Sequence, residues 1–147
     1  MEANDFNKYT SKISKDITIV GNIIVNDNFL VAGKINGNIN CKGDLLINGK
    51  VEGNVSASSI TLVDTSINGN IQCEKNLNIL GDSYVMGDVT TTNALIEGKI
   101  DGDILAQGKI AFKNTAALKG NCSAHLLSTE EDTKITGYIK ILTSNEH

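Results

Sequence analysis

The sequence predicts an all-β fold, a narrow three-sided β-helix (a solenoid) of about 7–8 coils flanked by short flexible tails. Three observations lead there. The apolar residues are strand formers, with 19 Ile, 12 Leu and 8 Val against three Phe, three Tyr and no Trp. Bends have to be made by 14 Gly and 18 Asn, because the chain has no Pro. Most tellingly, the frame apolar-x-Gly-x-apolar recurs eight times, on Gly21, Gly37, Gly53, Gly69, Gly87, Gly102, Gly120 and Gly137, at spacings of 15 to 18 residues. A chain of 147 residues, 40% apolar and 20% charged, is enough for one folded unit of this kind and too short for two.

From the N-terminus, residues 1–16 carry no Gly and no copy of the repeat, and read as a tail. Phe6, Tyr9 and Ile13 would share one helical face with Lys8, Lys12 and Lys15 nearby, a candidate contact with a membrane surface. The same segment lacks the contiguous apolar core of a secretory signal, and no apolar run reaches the roughly 20 residues of a membrane span. A cytoplasmic location is therefore expected, at most touching the inner face of the cell membrane.

The β-helix is expected over residues 17–143. Two positions before each anchor stand Ile19, Ile35, Val51, Ile67, Val85, Ile100, Leu118 and Ile135, and two after it stand Ile23, Ile39, Val55, Ile71, Val89, Ile104, Cys122 and Ile139. If each repeat is one coil, both columns stack and point inward. Four after the anchor comes a smaller column, Val25, Cys41, Ala57, Cys73, Thr91, Ala106 and Ala124, suited to a tight interior corner. The residue after the anchor is Asn22, Asn38, Asn54, Asn70, Asp88, Asp103 and Asn121, broken only by Tyr138. Such alternation marks strands with one buried face, and stacked Asn side chains can bond from rung to rung. Pairs such as Phe29/Val31, Leu45/Ile47, Leu77/Ile79 and Ile110/Phe112 form a further wall, displaced by one residue at Ile60/Leu62 and Ala94/Ile96.

Turns of this length hold three short strands and three bends. With strands about 4.8 Å apart, eight turns make a rod roughly 35–40 Å long. The glycines are expected where a bend has no room for a side chain or needs positive φ. Near the end, Ser128-Thr129-Glu130-Glu131-Asp132 reads as an acidic loop interrupting the rod, followed by a last turn on Ile135, Ile139, Ile141 and Leu142, and by a tail at residues 144–147.

Candidate chemistry is sparse. All 13 basic residues are Lys and the net charge is -4, which speaks against nucleic acid and removes the guanidinium fork that clamps phosphates. Three Cys form no CxxC pair: Cys41 and Cys73 fall in one column two turns apart, and Cys122 replaces an inward Ile, so all read as buried free thiols. His125 and His147 are too few for a zinc site. Asp88, Asp101 and Asp103 read as solvated charges, without the GGxGxD pattern of calcium-binding β-rolls. Neither a phosphate-cradling glycine motif nor the persistent six-residue period of hexapeptide acyltransferases occurs, and threonines cluster only at Thr90-Thr91-Thr92, too few for an ice-binding ladder. Neither enzymatic activity nor any cofactor or metal is expected.

The expected function lies at the ends of the rod. The first turn begins with Ile17, Ile19 and Ile23 and the last holds Ile135, Ile139 and Ile141, with no Pro to blunt either edge. Open sheet edges over an apolar cross-section favour stacking of rods end on end. The alternative is a non-polymerising module that docks a protein partner on its flat faces.

The stretches Gly33-Lys34-Ile35-Asn36-Gly37-Asn38-Ile39, Ile47-Asn48-Gly49-Lys50-Val51-Glu52-Gly53-Asn54-Val55, Gly98-Lys99-Ile100-Asp101-Gly102-Asp103-Ile104 and Leu118-Lys119-Gly120-Asn121-Cys122 resemble the bactofilins, bacterial polymer-forming cytoskeletal proteins, over about residues 17–124. The resemblance implies a right-handed β-helix assembling without nucleotide into non-polar filaments. It also implies a scaffold for cell shape, polarity or placement of envelope and cell-wall-modifying proteins, often held to the membrane by the N-terminal tail. Family members often carry a Phe important for polymerisation where this chain has Leu118. Their tails commonly contain Pro, which is missing here. Phe29 near one end, and Ile135, Ile139 and Ile141 in the extra turn, complete the candidate contact.

Overall fold

A computed structural model describes Tyr9 and residues 11–143, and every regular element among them is a β-strand. The strands wind into eight coils of three. The first coil is Ser11–Ile13, Thr18–Val20 and Ile23–Val25, and the eighth is Leu126–Thr129, Lys134–Thr136 and Ile139–Ile141. Each strand pairs in parallel with its counterpart one coil on, which gives three eight-stranded sheets, one per side of the rod. The predicted three-sided solenoid is thus the observed fold.

Both inward columns stack in register. Ile35 lies opposite Val51, then Ile67, Val85, Ile100 and Leu118 in the second sheet. Ile39, Val55, Ile71, Val89, Ile104 and Cys122 do the same in the third. These side chains are withdrawn from water together with the first-sheet wall, from Phe29 and Val31 to Ile110 and Phe112, and form one continuous apolar core along the axis. Burying each Val, Leu or Ile side chain contributes about 1.5–3 kcal/mol.

The displaced pairs fall into line as well: Ile60 sits opposite both Leu45 and Leu77, and Ala94 opposite Leu77 and Ile110. The offset is absorbed at the preceding corner, where Ser58 or Thr92 alone joins two strands, in place of the two residues Lys42 and Gly43 or Glu74 and Lys75. The other variable corner joins the first sheet to the second. There Thr65 and Ser83 are buried, each donating its hydroxyl to a main-chain carbonyl (Thr65 Oγ1 to Val63 O at 2.9 Å, Ser83 Oγ to Leu80 O at 2.7 Å), and Ser83 Oγ accepts from Thr65 N at 3.1 Å.

The corner between second and third sheets never varies. It is the glycine anchor and the residue after it in all eight coils. Gly53 shows why: its φ is +152°, and a Cβ built there would overlap the carbonyl oxygen of Gly37 one coil earlier. The next residue supplies a ladder of another kind than side chain to side chain. Asn70 N donates to Asn54 Oδ1 at 2.9 Å, Asp88 N to Asn70 Oδ1 at 2.9 Å and Asp103 N to Asp88 Oδ1 at 3.0 Å, so each side-chain oxygen caps the main chain of the following coil.

Two expectations are corrected. The rod begins at Ser11, inside the segment read as a tail over residues 1–16: Ser11, Lys12 and Ile13 pair with Phe29, Leu30 and Val31. No glycine marks this coil's first corner because Asp16 takes the left-handed conformation itself, with φ of 72°. The acidic segment does not interrupt the rod either. Ser128 and Thr129 are paired in the first sheet, and Glu130 to Thr133 form a corner of the last coil, with Asp132 at φ of 69°. Residues 144–147 lie outside those described.

Candidate functional site

Among the described residues, the two ends are where the three sheets stop and apolar side chains are only partly buried. At the N-terminal end the edge strands present Ile13, Ile19, Ile23 and Val25, which pack on the core from one side only, and Ile17 is exposed. At the C-terminal end Leu127 and Ile135 are half-buried, Ile139 and Ile141 are 47% and 50% exposed, and Tyr138 is 81% exposed. Among the described residues no element covers either end.

Of the predicted contact residues, Ile17, Ile19, Ile23, Ile135, Ile139 and Ile141 therefore lie at the ends. Phe29 and Leu118 do not. Phe29 is 3% exposed beneath Ser11–Ile13, and Leu118 is 1% exposed beneath Lys134–Thr136. Each sits one coil in, because an additional coil extends the rod beyond it. Ile13 is a half-buried core residue of the first strand, so it does not share an exposed helical face with Phe6 and Tyr9. Tyr9 is half-buried, and Phe6 is outside the described residues.

The ladder also ends here. Asn121 Oδ1 accepts from Tyr138 N at 3.1 Å, but Tyr138 has no short side-chain carbonyl or carboxylate to offer a following coil. Tyr138, the break in the Asn column, is thus a surface residue of the last coil, and Val20 and Ile24 are strongly exposed residues of the first coil that the repeat columns do not include. Their signal was available in the alternation: the positions opposite them are Asn36 and Asn40, while Val20 and Ile24 are apolar in outward slots.

The sides of the rod carry little chemistry. Among the described residues no group of His, Cys, Asp and Glu is arranged to hold a metal. The three cysteines are buried and free. Cys41 Sγ donates to Asp27 O at 3.1 Å and Cys73 Sγ to Asn76 O at 3.2 Å, so the small column closes its corner with hydrogen bonds as well as bulk. Burial raises the pKa of all three thiols, and that of Cys122 is pushed up to about 11. They are thus held as thiols rather than as nucleophilic thiolates. Asp88 and Asp103 are ladder acceptors, and His125 occupies the single-residue corner before Leu126–Thr129, its main-chain N–H donating to Gly108 O at 3.0 Å. One side departs from this pattern. On the outer face of the first sheet, Leu30, Ala32, Leu46, Asn48 and Val63 line a mostly apolar groove of about 330 Å³. No helix among the described residues is long and apolar enough to cross a membrane.

No curated protein and no solved structure gives a significant match to the chain. A family model does: that of the bactofilins, described as polymer-forming cytoskeletal, matches residues 11–62 and 50–140. The first match starts on the first strand of the first coil and the second ends within the last strand of the eighth. A chain so matched from one end of its solenoid to the other belongs to the bactofilin family.

Proposed function

We propose that this bactofilin is a cytoplasmic scaffold whose rods join end to end, without nucleotide, into non-polar filaments. The observation that carries the reading is that no element among the described residues covers either end, where apolar side chains of the first and last coils pack on the core from one side only. Joining two such ends removes Ile139 and Ile141, or Ile17, from water and supplies partners to edge N–H and C=O groups. Tyr138 favours contacts between like ends, since a second rod stacked as a simple continuation would find no side-chain acceptor at that position for its Asn22 N–H. A filament of this kind suits cell shape or polarity, and the placement of envelope or cell-wall-modifying proteins. The segment containing Phe6 and Tyr9 would contact the inner face of the membrane.

Negative-stain microscopy and sedimentation of the purified full chain, with no nucleotide added, test the reading. Filaments are expected, and a monodisperse monomer at high concentration would overturn it. Ile139→Lys is expected to abolish filaments while the β circular dichroism stays intact, because a buried unpaired ammonium costs several kcal/mol. Flotation with anionic vesicles, lost on Phe6→Asp, tests the membrane contact separately.

The apolar groove on the first sheet favours a second reading, in which the rod docks an extended apolar segment of a protein partner on that face. Leu46→Asp separates the two: it leaves filaments untouched if the ends make the polymer.

A further inference from the structure

The chain contains three Asn-Gly pairs in almost identical settings: Ile35-Asn36-Gly37-Asn38, Ile47-Asn48-Gly49-Lys50 and Ile67-Asn68-Gly69-Asn70. Asn-Gly is the dipeptide most prone to intramolecular attack of the main-chain nitrogen on the side-chain amide, because glycine has no Cβ to obstruct the approach. Local sequence barely distinguishes the three pairs. The fold does.

Gly37 N donates to Glu52 O at 2.9 Å and Gly69 N to Met86 O at 2.9 Å, so in both pairs the attacking nitrogen is held in the ladder between coils. Asn36 is doubly protected, its Oδ1 being buried. Asn48-Gly49 lies at another corner, the one from first to second sheet. There Asn48 N donates to Val31 O at 2.7 Å and Lys50 N to Gly33 O at 3.2 Å, while the intervening Gly49 N–H finds no acceptor among the described residues. The Asn48 side chain is exposed.

We propose that Asn48 is a site of spontaneous covalent modification in the folded protein, converted to aspartate and isoaspartate, and that Asn36 and Asn68 are protected by the coil stacking. Gly49 N loses its proton to solvent base and attacks Cγ of Asn48. The bond from Cγ to the side-chain nitrogen breaks, ammonia leaves, and a five-membered succinimide closes. Water then adds to one of the two imide carbonyls and opens the ring, to aspartate or to isoaspartate according to which carbonyl it attacks. No redox partner or cofactor is needed. The product places a carboxylate on the rim of the apolar groove, which Asn48 lines, and the isoaspartate form also inserts a methylene into a corner that has no spare room: a Cβ on Gly49 would overlap Gly33 O.

The test is peptide mapping by mass spectrometry of the full chain incubated at mildly alkaline pH, folded and in parallel in concentrated urea, with isoaspartate identified by fragmentation. In the folded chain Asn48 is expected to convert about tenfold faster than Asn68, the ratio that follows if a hydrogen bond must open before Gly69 N can react. In urea the three sites are expected to converge. Equal rates at Asn48 and Asn68 in the folded chain would overturn the proposal, and so would a difference that persists unchanged in urea. Neither result bears on whether the chain forms filaments.

Discussion

Asn54 illustrates how little chemistry each rung requires. Its Oδ1 accepts from Asn70 N, while its own N–H donates to Asn38 Oδ1 at 2.9 Å. Only an acceptor oxygen at the end of a short side chain is used, and this is why Asp88 and Asp103 replace Asn without disturbing the stack. Asn54→Ala is therefore expected to cost about 1 kcal/mol, read from the urea midpoint, and Asn54→Asp to be close to neutral. A larger loss for Asp than for Ala would show that the amide group itself is needed. One residue earlier, Gly53→Ala is expected to be far worse. It adds about 1–3 kcal/mol of backbone strain at a φ of +152°, and its methyl group meets Gly37 O, which is main chain and cannot swing aside. Thermal unfolding followed by circular dichroism should show the melt lowered well beyond that of Asn54→Ala.

At the scale of the strand and the corner, Cys122 is a buried thiol among isoleucines, opposite Ile104 and Ile139. Burial holds it neutral up to about 11, against 9.0 for an ordinary thiol. Below pH 9 both folded and unfolded chains keep the proton and the group has no effect on stability. Between pH 9 and 11 only the unfolded chain releases it, so stability falls as pH rises, by up to about 1.4 kcal/mol per pH unit. Cys122→Val, which has no proton to lose, is expected to flatten the fall across that window, and equal slopes for the two proteins would refute the assignment. The inward position of Cys122 was legible in the sequence because it stands in a column of apolar residues two after each glycine. The second-to-third corner was legible for the same reason, as its glycine and following Asn or Asp recur without variation. The first strand of the first coil was not. Asp16 turns its corner in place of glycine, and strand Ser11–Ile13 is too short to show a period of its own. Phe29 and Leu118 were misplaced for a related reason: a side chain's depth in a solenoid depends on whether another coil follows, which its own repeat does not record. Phe29→Arg is accordingly expected to disrupt the N-terminal coils and reduce the β signal, rather than to block assembly of an intact rod as Ile139→Lys would.

Across the whole molecule, two forces act on a pair of rods with opposite dependence on salt. Each carries a net charge of -4, so copies repel one another, over a range of about 30 Å at 0.01 M salt and about 8 Å at 0.15 M. The end surfaces themselves are made by Ile17, Ile139, Ile141 and Tyr138, whose burial is little affected by dilute salt and is strengthened by sulfate or phosphate. If the ends make the contact, raising ionic strength relieves the repulsion and leaves the attraction in place. The concentration at which filaments first pellet should then fall from low to physiological salt and fall further in sulfate. An end contact held by ion pairs, for instance between Lys15 or Lys140 of one rod and Glu131 or Asp132 of another, would do the reverse and dissolve as salt rises. Pelleting across a salt series therefore decides between an apolar and an electrostatic joint, and the exposed isoleucines of the last strand point to the first.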